Sequence, residues 1–75
     1  MSKLNKWNTG PAQSPNPMIR FAYFAGVFAA QRDTAMIFAR SKTDRTERQQ
    51  WVARARFEHL QMLAYIRRLR NEMSI

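Results

Sequence analysis

Several residue types that build enzyme sites and covalent crosslinks are absent or scarce in this 75-residue chain. There is no cysteine, so the chain can form neither a disulfide nor a thiolate metal site. Only two glycines occur, which excludes a glycine-rich phosphate-binding loop. The chain has a single histidine, His59, and five carboxylates. No two of the carboxylates have the spacing of a catalytic pair, so these residues offer no basis for nucleophilic, acid–base or metal chemistry. The sequence therefore predicts a protein that is not an enzyme and uses no metal or cofactor.

The short length limits how much stability one copy of the chain can reach. A core built from so few residues rarely supplies more than about 3–5 kcal/mol without a disulfide, a metal or a partner subunit. Since disulfides are excluded, oligomerisation is the remaining common route to stability. The absence of cysteine is also compatible with the reducing cytoplasm, where we expect the protein to act.

Proline occurs only near the N-terminus, at Pro11, Pro15 and Pro17, where it opposes regular helix and favours extended backbone. We therefore expect residues 1–16 to form a flexible or extended arm, followed by one helical domain over residues 17–75. The distinctive residue of the arm is Trp7, which either folds back over the helices or anchors a partner.

The first helix is predicted over residues 17–40, with Asn16 as its N-cap and Pro17 at its first position. One stripe with three- and four-residue spacing runs along it, and most other directions of the helix are apolar as well. A helix that is apolar nearly all round is usually buried nearly all round. The members of the stripe are Phe21, Phe24, Phe28, Gln31, Ala35 and Phe38.

A membrane helix or a secretion signal is a weaker interpretation of the same segment. The uninterrupted apolar run over residues 21–30 is too short to cross the hydrocarbon of a bilayer, which takes roughly 20 residues. A longer span would include Gln31, Arg32 and Asp33 near its middle, at high cost in lipid. A signal peptide would need a long, proline-rich lead-in and would remove most of the core. Peripheral membrane association through residues 21–38 remains a lesser alternative.

The second helix is predicted over residues 44–72, after a polar turn at 41–43. Asp44 followed three residues later by Glu47 resembles a capping box. A seam with heptad spacing runs along this helix, and a second apolar line lies more than a quarter turn away from it. The seam consists of Val52, Ala55, His59, Met62, Ile66, Leu69 and Met73, and the second line of Ala53, Phe57, Leu60 and Ala64.

Together these features predict an all-α fold, a two-helix antiparallel hairpin over about 17–40 and 44–72 with a disordered or extended N-terminal arm. Because each helix has more apolar surface than a hairpin covers, we expect homo-oligomerisation into a helical bundle, with a dimer favoured. In such a hairpin Gly26 should face the neighbourhood of His59. Gln31 is a candidate partner for the histidine ring, and a pH-sensitive pair of histidines between subunits is a less favoured alternative.

The charge balance indicates an acidic partner. Thirteen Lys and Arg residues against five Asp and Glu residues give a formal net charge of +8, and ten of the thirteen are arginines. Five of these arginines fall within about a third of the circumference of the second helix, at 100° per residue. We call them the basic ridge, which can follow a phosphate backbone or dock on an acidic protein. They are Arg45, Arg48, Arg56, Arg67 and Arg70.

Several functions are compatible with this pattern. The first is a non-enzymatic module that binds nucleic acid, or nucleic-acid-handling machinery, through the basic ridge. The alternative is a small inhibitor or adaptor, of the kind that phages and mobile elements encode, which binds a host protein stoichiometrically. The alternative for the ridge itself is a solvated face whose arginine stems merely cover apolar neighbours. A small anionic ligand held between subunits is also compatible with the sequence. The residues expected at protein interfaces are Trp7, Phe21, Phe24, Phe28, Trp51, Phe57 and Leu60.

Overall fold

The computed structural model describes residues 10–74, and it confirms the all-helical hairpin. Helix α1 spans Pro17–Ser41 and helix α2 spans Arg45–Met73, and the two helices pack against each other. A single turn of 3₁₀ helix, Pro11–Gln13, precedes α1 and packs on it. No strand occurs between residues 10 and 74. Trp7 lies outside the described residues, so its predicted role stays a prediction.

Both helix starts follow from local capping chemistry, as predicted. The Asn16 side chain accepts a hydrogen bond from the Met18 amide at 2.9 Å, and Pro17 occupies the first turn of α1. Asp44 Oδ2 accepts from the Glu47 amide at 2.9 Å at the start of α2. These bonds satisfy amides that have no partner within the helix, so each helix begins where its cap stands.

Helix α1 turns a slightly different face to α2 than the sequence predicts. Its buried residues are Ala25, Ala35 and Ala39, whereas Gln31 and Phe38 of the predicted stripe are exposed. The seam follows three- and four-residue spacing through the alanines because small side chains allow the helices to approach closely. The full seam of α1 runs through Phe21, Ala25, Phe28, Arg32, Ala35 and Ala39.

The buried side of α2 contains one residue that the predicted seam does not include. Ala55 is buried as predicted, and the seam residues Val52, His59, Met62, Ile66 and Leu69 are half-buried. Glu58, which is not part of the predicted seam, is among the most buried side chains, with 2% of its surface exposed. Met73, expected at the end of the seam, is exposed because α1 begins too late in the chain to cover it.

Aromatic side chains join the helices at both ends of the hairpin. The Tyr65 ring lies 6.2, 5.4 and 5.7 Å, between ring centroids, from those of Phe21, Phe24 and Phe28. Near the turn, Phe38 stacks on Trp51 at 4.9 Å. Such pairs add to the energy of simple area burial. They hold α1 to α2 on either side of the buried Ala35.

The core of the hairpin is thin. Within residues 10–74 the only buried apolar residues are four alanines, and no large apolar side chain is fully buried. Many large apolar side chains are exposed instead. They are Met18, Ile19, Tyr23, Ile37, Phe38, Phe57, Leu60, Leu63 and Met73.

The residues just before α1 make defined contacts with it. Arg20 Nη1 donates to the Ser14 carbonyl at 2.6 Å, and the Gln13 amide donates to the Gly10 carbonyl at 3.0 Å. The last part of the predicted arm therefore includes a hydrogen-bonded turn that proline content did not suggest. Over the described residues, neither helix combines the length and the apolar character needed to cross a membrane.

Candidate acidic-partner interface

Four arginines of the basic ridge point into solvent from α2 without a partner among residues 10–74. Arg45, Arg56, Arg67 and Arg70 are all exposed, and none of their guanidinium groups forms a hydrogen bond or an ion pair with a described residue. A guanidinium offers five N–H donors in a planar fork that matches phosphate and carboxylate oxygens. These four side chains are therefore available to bind anions.

Three of the four lie almost in line along the helix. Arg45, Arg56 and Arg67 follow one another at intervals of eleven residues. Eleven residues correspond to about 16.5 Å of rise, and the direction of the side chain drifts by only about 20° per interval. Arg70 lies one further turn along α2. The ridge thus presents positive charge at regular steps over most of the helix.

Arg48, the fifth member of the predicted ridge, contributes to the turn instead. Its guanidinium donates to the Lys42 carbonyl at 3.3 Å through both Nε and Nη2, and to the Thr43 carbonyl at 3.4 Å. These acceptors lie at and just beyond the C-terminal end of α1, where carbonyl groups lack helical partners. Arg48 therefore helps to close the hairpin, and its predicted part in partner binding stays a prediction.

The remaining arginines of α2, and Arg32 of α1, are engaged within the hairpin. Arg54 Nε forms an ion pair with Glu58 Oε1 at 2.8 Å, and the Arg68 guanidinium lies 5.0 Å from the centre of the Tyr65 ring. Arg32 contacts both Asp33 and His59. The exposed ridge arginines are therefore distinguished by their lack of such contacts, a difference that sequence alone does not reveal.

Shallow apolar hollows border the ridge. Arg56 edges a groove between the helices that also includes Met36 and Val52. Arg67 and Arg70 edge a second hollow next to Leu63 and Ile66. A third, mostly apolar hollow beside Arg70 is lined by Ile66, Leu69, Met73 and Ser74. The surface can therefore contact an anionic group and an apolar group at the same time.

The aromatic and aliphatic residues predicted at interfaces fall into two groups. Phe57 and Leu60 are exposed on the side of α2 that faces away from α1. Trp51 and the three phenylalanines at 21, 24 and 28 are half-buried in contacts within the hairpin. Only the first group is free for a partner without rearrangement of the hairpin.

His59 has a different partner from the one expected. Arg32 Nη1 lies 2.9 Å from His59 Nδ1 and 3.4 Å from the Met62 sulfur, whereas the predicted partner, Gln31, is exposed. Because a guanidinium can only donate, Nδ1 is the acceptor and the ring proton of a neutral imidazole is on Nε2. The sequence missed Arg32 because arginine is rare at a seam position.

Gly26 does not lie opposite His59 as expected. It is exposed, and a Cβ atom added to it would meet no heavy atom of a neighbouring element within 4 Å. Gly26 therefore lies on the side of α1 that faces away from α2. In residues 10–74 there is also no group of three or more His, Asp or Glu side chains placed to hold a metal ion.

The fold and the site define a helical hairpin with one basic, partly apolar face. Comparisons with protein-family models, with curated proteins and with solved structures found no significant match. The function is therefore inferred from the geometry of the hairpin itself.

Proposed function

We propose that this chain is a non-enzymatic binding protein whose basic ridge engages an acidic macromolecule, namely nucleic acid or the machinery that handles it. The observation that carries the proposal is the set of four exposed arginines on α2 with no partner among the described residues. The formal net charge of +8 adds a long-range attraction to the same class of partner. We place this activity in the cytoplasm.

Binding of this kind is dominated by contacts to the phosphate backbone. The ridge offers guanidinium groups at regular steps along a rigid helix, and each phosphate contact releases condensed counterions. Affinity for DNA or RNA should therefore fall steeply as salt is raised. The ridge gives no pattern for reading bases, so the affinity should depend little on sequence.

The test compares two double variants with the same change in net charge. Arg56→Gln with Arg67→Gln removes two ridge cations, whereas Arg40→Gln with Arg68→Gln removes two cations that lie elsewhere. Titration of duplex DNA at several salt concentrations gives the slope of log affinity against log salt. We expect the ridge variant to lower this slope by about 2 and the control to change it little, because each lost contact lowers it by about 1. Equal effects of the two variants would contradict the proposal.

A second candidate function is a stoichiometric inhibitor or adaptor that binds a protein with an acidic surface. Phe57 and Leu60 favour it, because both are more than half exposed, at 53% and 58%, on the side of α2 facing away from α1. Apolar side chains gain little against a phosphate backbone but much in a protein interface, where aromatic residues are common anchors. In this case the arginines would select the partner and the apolar residues would hold it.

Affinity purification with and without nuclease separates the two functions. The inhibitor or adaptor function predicts a protein partner that co-purifies with the chain in a fixed ratio. This partner should remain bound after nuclease treatment and be lost from Phe57→Ala. The nucleic-acid-binding function predicts bound material that nuclease removes. This material should be lost from the Arg56→Gln, Arg67→Gln variant but retained by Phe57→Ala.

A further inference from the structure

Helix α1 carries a second apolar line on the side facing away from α2. Its members follow three- and four-residue spacing, as in helices that pack on another helix, with Asp33 interrupting the line between Ala30 and Ile37. We call this line the outer stripe. It consists of Ile19, Tyr23, Gly26, Ala30 and Ile37.

All five residues of the outer stripe are exposed. Ile37 has 62% of its surface in solvent, and Ile19 and Tyr23 have 46% and 40%. Between them lie the small residues Gly26 and Ala30, and a Cβ placed on the glycine would meet no heavy atom of a neighbouring element within 4 Å. Large side chains at the ends and small ones in the middle allow the backbone of another helix to approach closely.

Charge decides which occupant fits this stripe. Asp33 occupies the position between Ala30 and Ile37 in the spacing of the stripe, and its Oδ1 is paired with Arg32 Nε at 3.1 Å. Of the other cations of α1, Arg20 is tied to the Ser14 carbonyl and Arg40 lies at the last turn. By contrast, α2 carries seven arginines. Two copies of so basic a chain repel one another through their α2 faces, whereas the charge of Asp33 within the outer stripe is balanced by its ion pair with Arg32.

We propose that the outer stripe is the interface with a second copy of this chain, with α1 packed on α1 about a two-fold axis. The two α2 helices then lie on the outside of a four-helix assembly, and both basic ridges remain in solvent. An isologous contact of this kind is self-complementary, so each copy supplies the same five residues. The dimer stands independently of the proposed function. It also makes the basic surface bivalent, so that one dimer can contact two acidic segments.

The absence of cysteine from the chain allows a direct crosslinking test. Ala30→Cys places one thiol near the middle of α1 on the outer stripe, and Ala53→Cys places one on the exposed side of α2. Both alanines are exposed, so neither change disturbs the hairpin. Under mild oxidation we expect several-fold faster formation of the disulfide-linked dimer for Ala30→Cys. Equal rates, or faster crosslinking of Ala53→Cys, would overturn the proposal, because they would mean random collision or pairing through α2.

Light scattering on the eluted peak of a sizing column provides the second test. The wild-type chain should have about twice the monomer mass of 8.9 kDa. Ile37→Lys should shift the mass to that of the monomer, since it places a cation from each copy in the apolar contact. The matched control, Leu60→Lys on α2, should stay dimeric. A wild-type monomer, or a dimer broken by Leu60→Lys and not by Ile37→Lys, would overturn the proposal. Because Ile37 and Leu60 are similarly exposed, circular dichroism should show the same helix content in both variants.

Discussion

The Glu58 carboxylate lies at the contact between the two helices, and it has one partner among the described residues. Its Oε1 pairs with Arg54, whose side chain is 63% exposed, whereas its Oε2 is buried without a hydrogen bond. Removing a charged group from water costs free energy, and an ion pair with one exposed arginine offsets only part of that cost. Glu58 is thus a local weakness of the hairpin.

Removing Arg54 should therefore harm the fold more than removing Glu58. We expect Arg54→Ala to lower the free energy of unfolding by about 1–3 kcal/mol, because the buried carboxylate loses its partner. Glu58→Met, which fills the same space without charge, should leave stability unchanged or raise it by about 1–4 kcal/mol. In the double variant the Arg54→Ala loss should vanish. Urea unfolding measures all three, and additive effects would contradict this account of the pair.

The buried alanines set the distance between the helices. Ala35 is 2% exposed at the centre of the contact, so Ala35→Leu should force the helices apart and cost about 1–3 kcal/mol. The matched control is Ala53→Leu on the exposed side of α2, which should be nearly neutral. Chemical denaturation of both variants checks this. A tolerated leucine at position 35 would show that the alanine contact is not tightly packed.

At the level of helices, the start of each helix was predictable from the sequence. The side by which each helix packs on the other was predictable only in part. Caps act over three or four residues, so Asn16 and Asp44 locate the helix starts without knowledge of the rest of the chain. The facing side depends on which residues let two backbones approach. The large phenylalanines suggested one stripe for α1, but contact through alanines rotates the helix and brings Arg32 inwards.

The candidate interface was also predictable only in part. Helical spacing alone groups the five ridge arginines on one side of α2. It cannot show that Arg48 turns back to the carbonyls of the turn while the other four have no partner in residues 10–74. Glu58 was missed for a related reason. Trp51, Ala55, Glu58, Met62 and Tyr65 follow the same three- and four-residue spacing as the predicted seam, but an acidic residue is seldom expected in such a line.

The cap of α2 gives a prediction at this scale. Asp44→Ala should lower the free energy of unfolding by about 1 kcal/mol, because the Glu47 amide loses its acceptor. Thr46→Ala, a change in the first turn that leaves the cap intact, is the control and should have a much smaller effect. Thermal unfolding followed by circular dichroism measures both. If the two variants lost the same stability, the cap would not be what fixes the start of α2.

At the level of the whole molecule, the hairpin leaves most of its large apolar side chains in contact with water. A core of alanines and two aromatic clusters supplies little burial for a chain of this size. Two surfaces remain for partners, the neutral outer stripe of α1 and the basic face of α2. The proposed dimer and the proposed acidic partner use them without competing.

If a second copy covers the outer stripe, stability should depend on protein concentration. The midpoint of thermal unfolding should rise as the wild-type chain is concentrated, because association stabilises only the folded form. Ile37→Lys should have a lower midpoint that does not change with concentration, and Leu60→Lys should behave like wild type. A wild-type midpoint independent of concentration would argue for a stable monomer.

The most direct test of the central claim, that the exposed arginines of α2 bind an acidic partner, is a titration followed by nuclear magnetic resonance. Isotope-labelled protein is mixed in turn with short duplex DNA, single-stranded RNA and polyglutamate. The account predicts salt-sensitive shifts at the side-chain signals of Arg45, Arg56, Arg67 and Arg70, with little change at Arg32 and Arg54. Shifts centred on α1, or no shifts with any of the three polyanions, would contradict it.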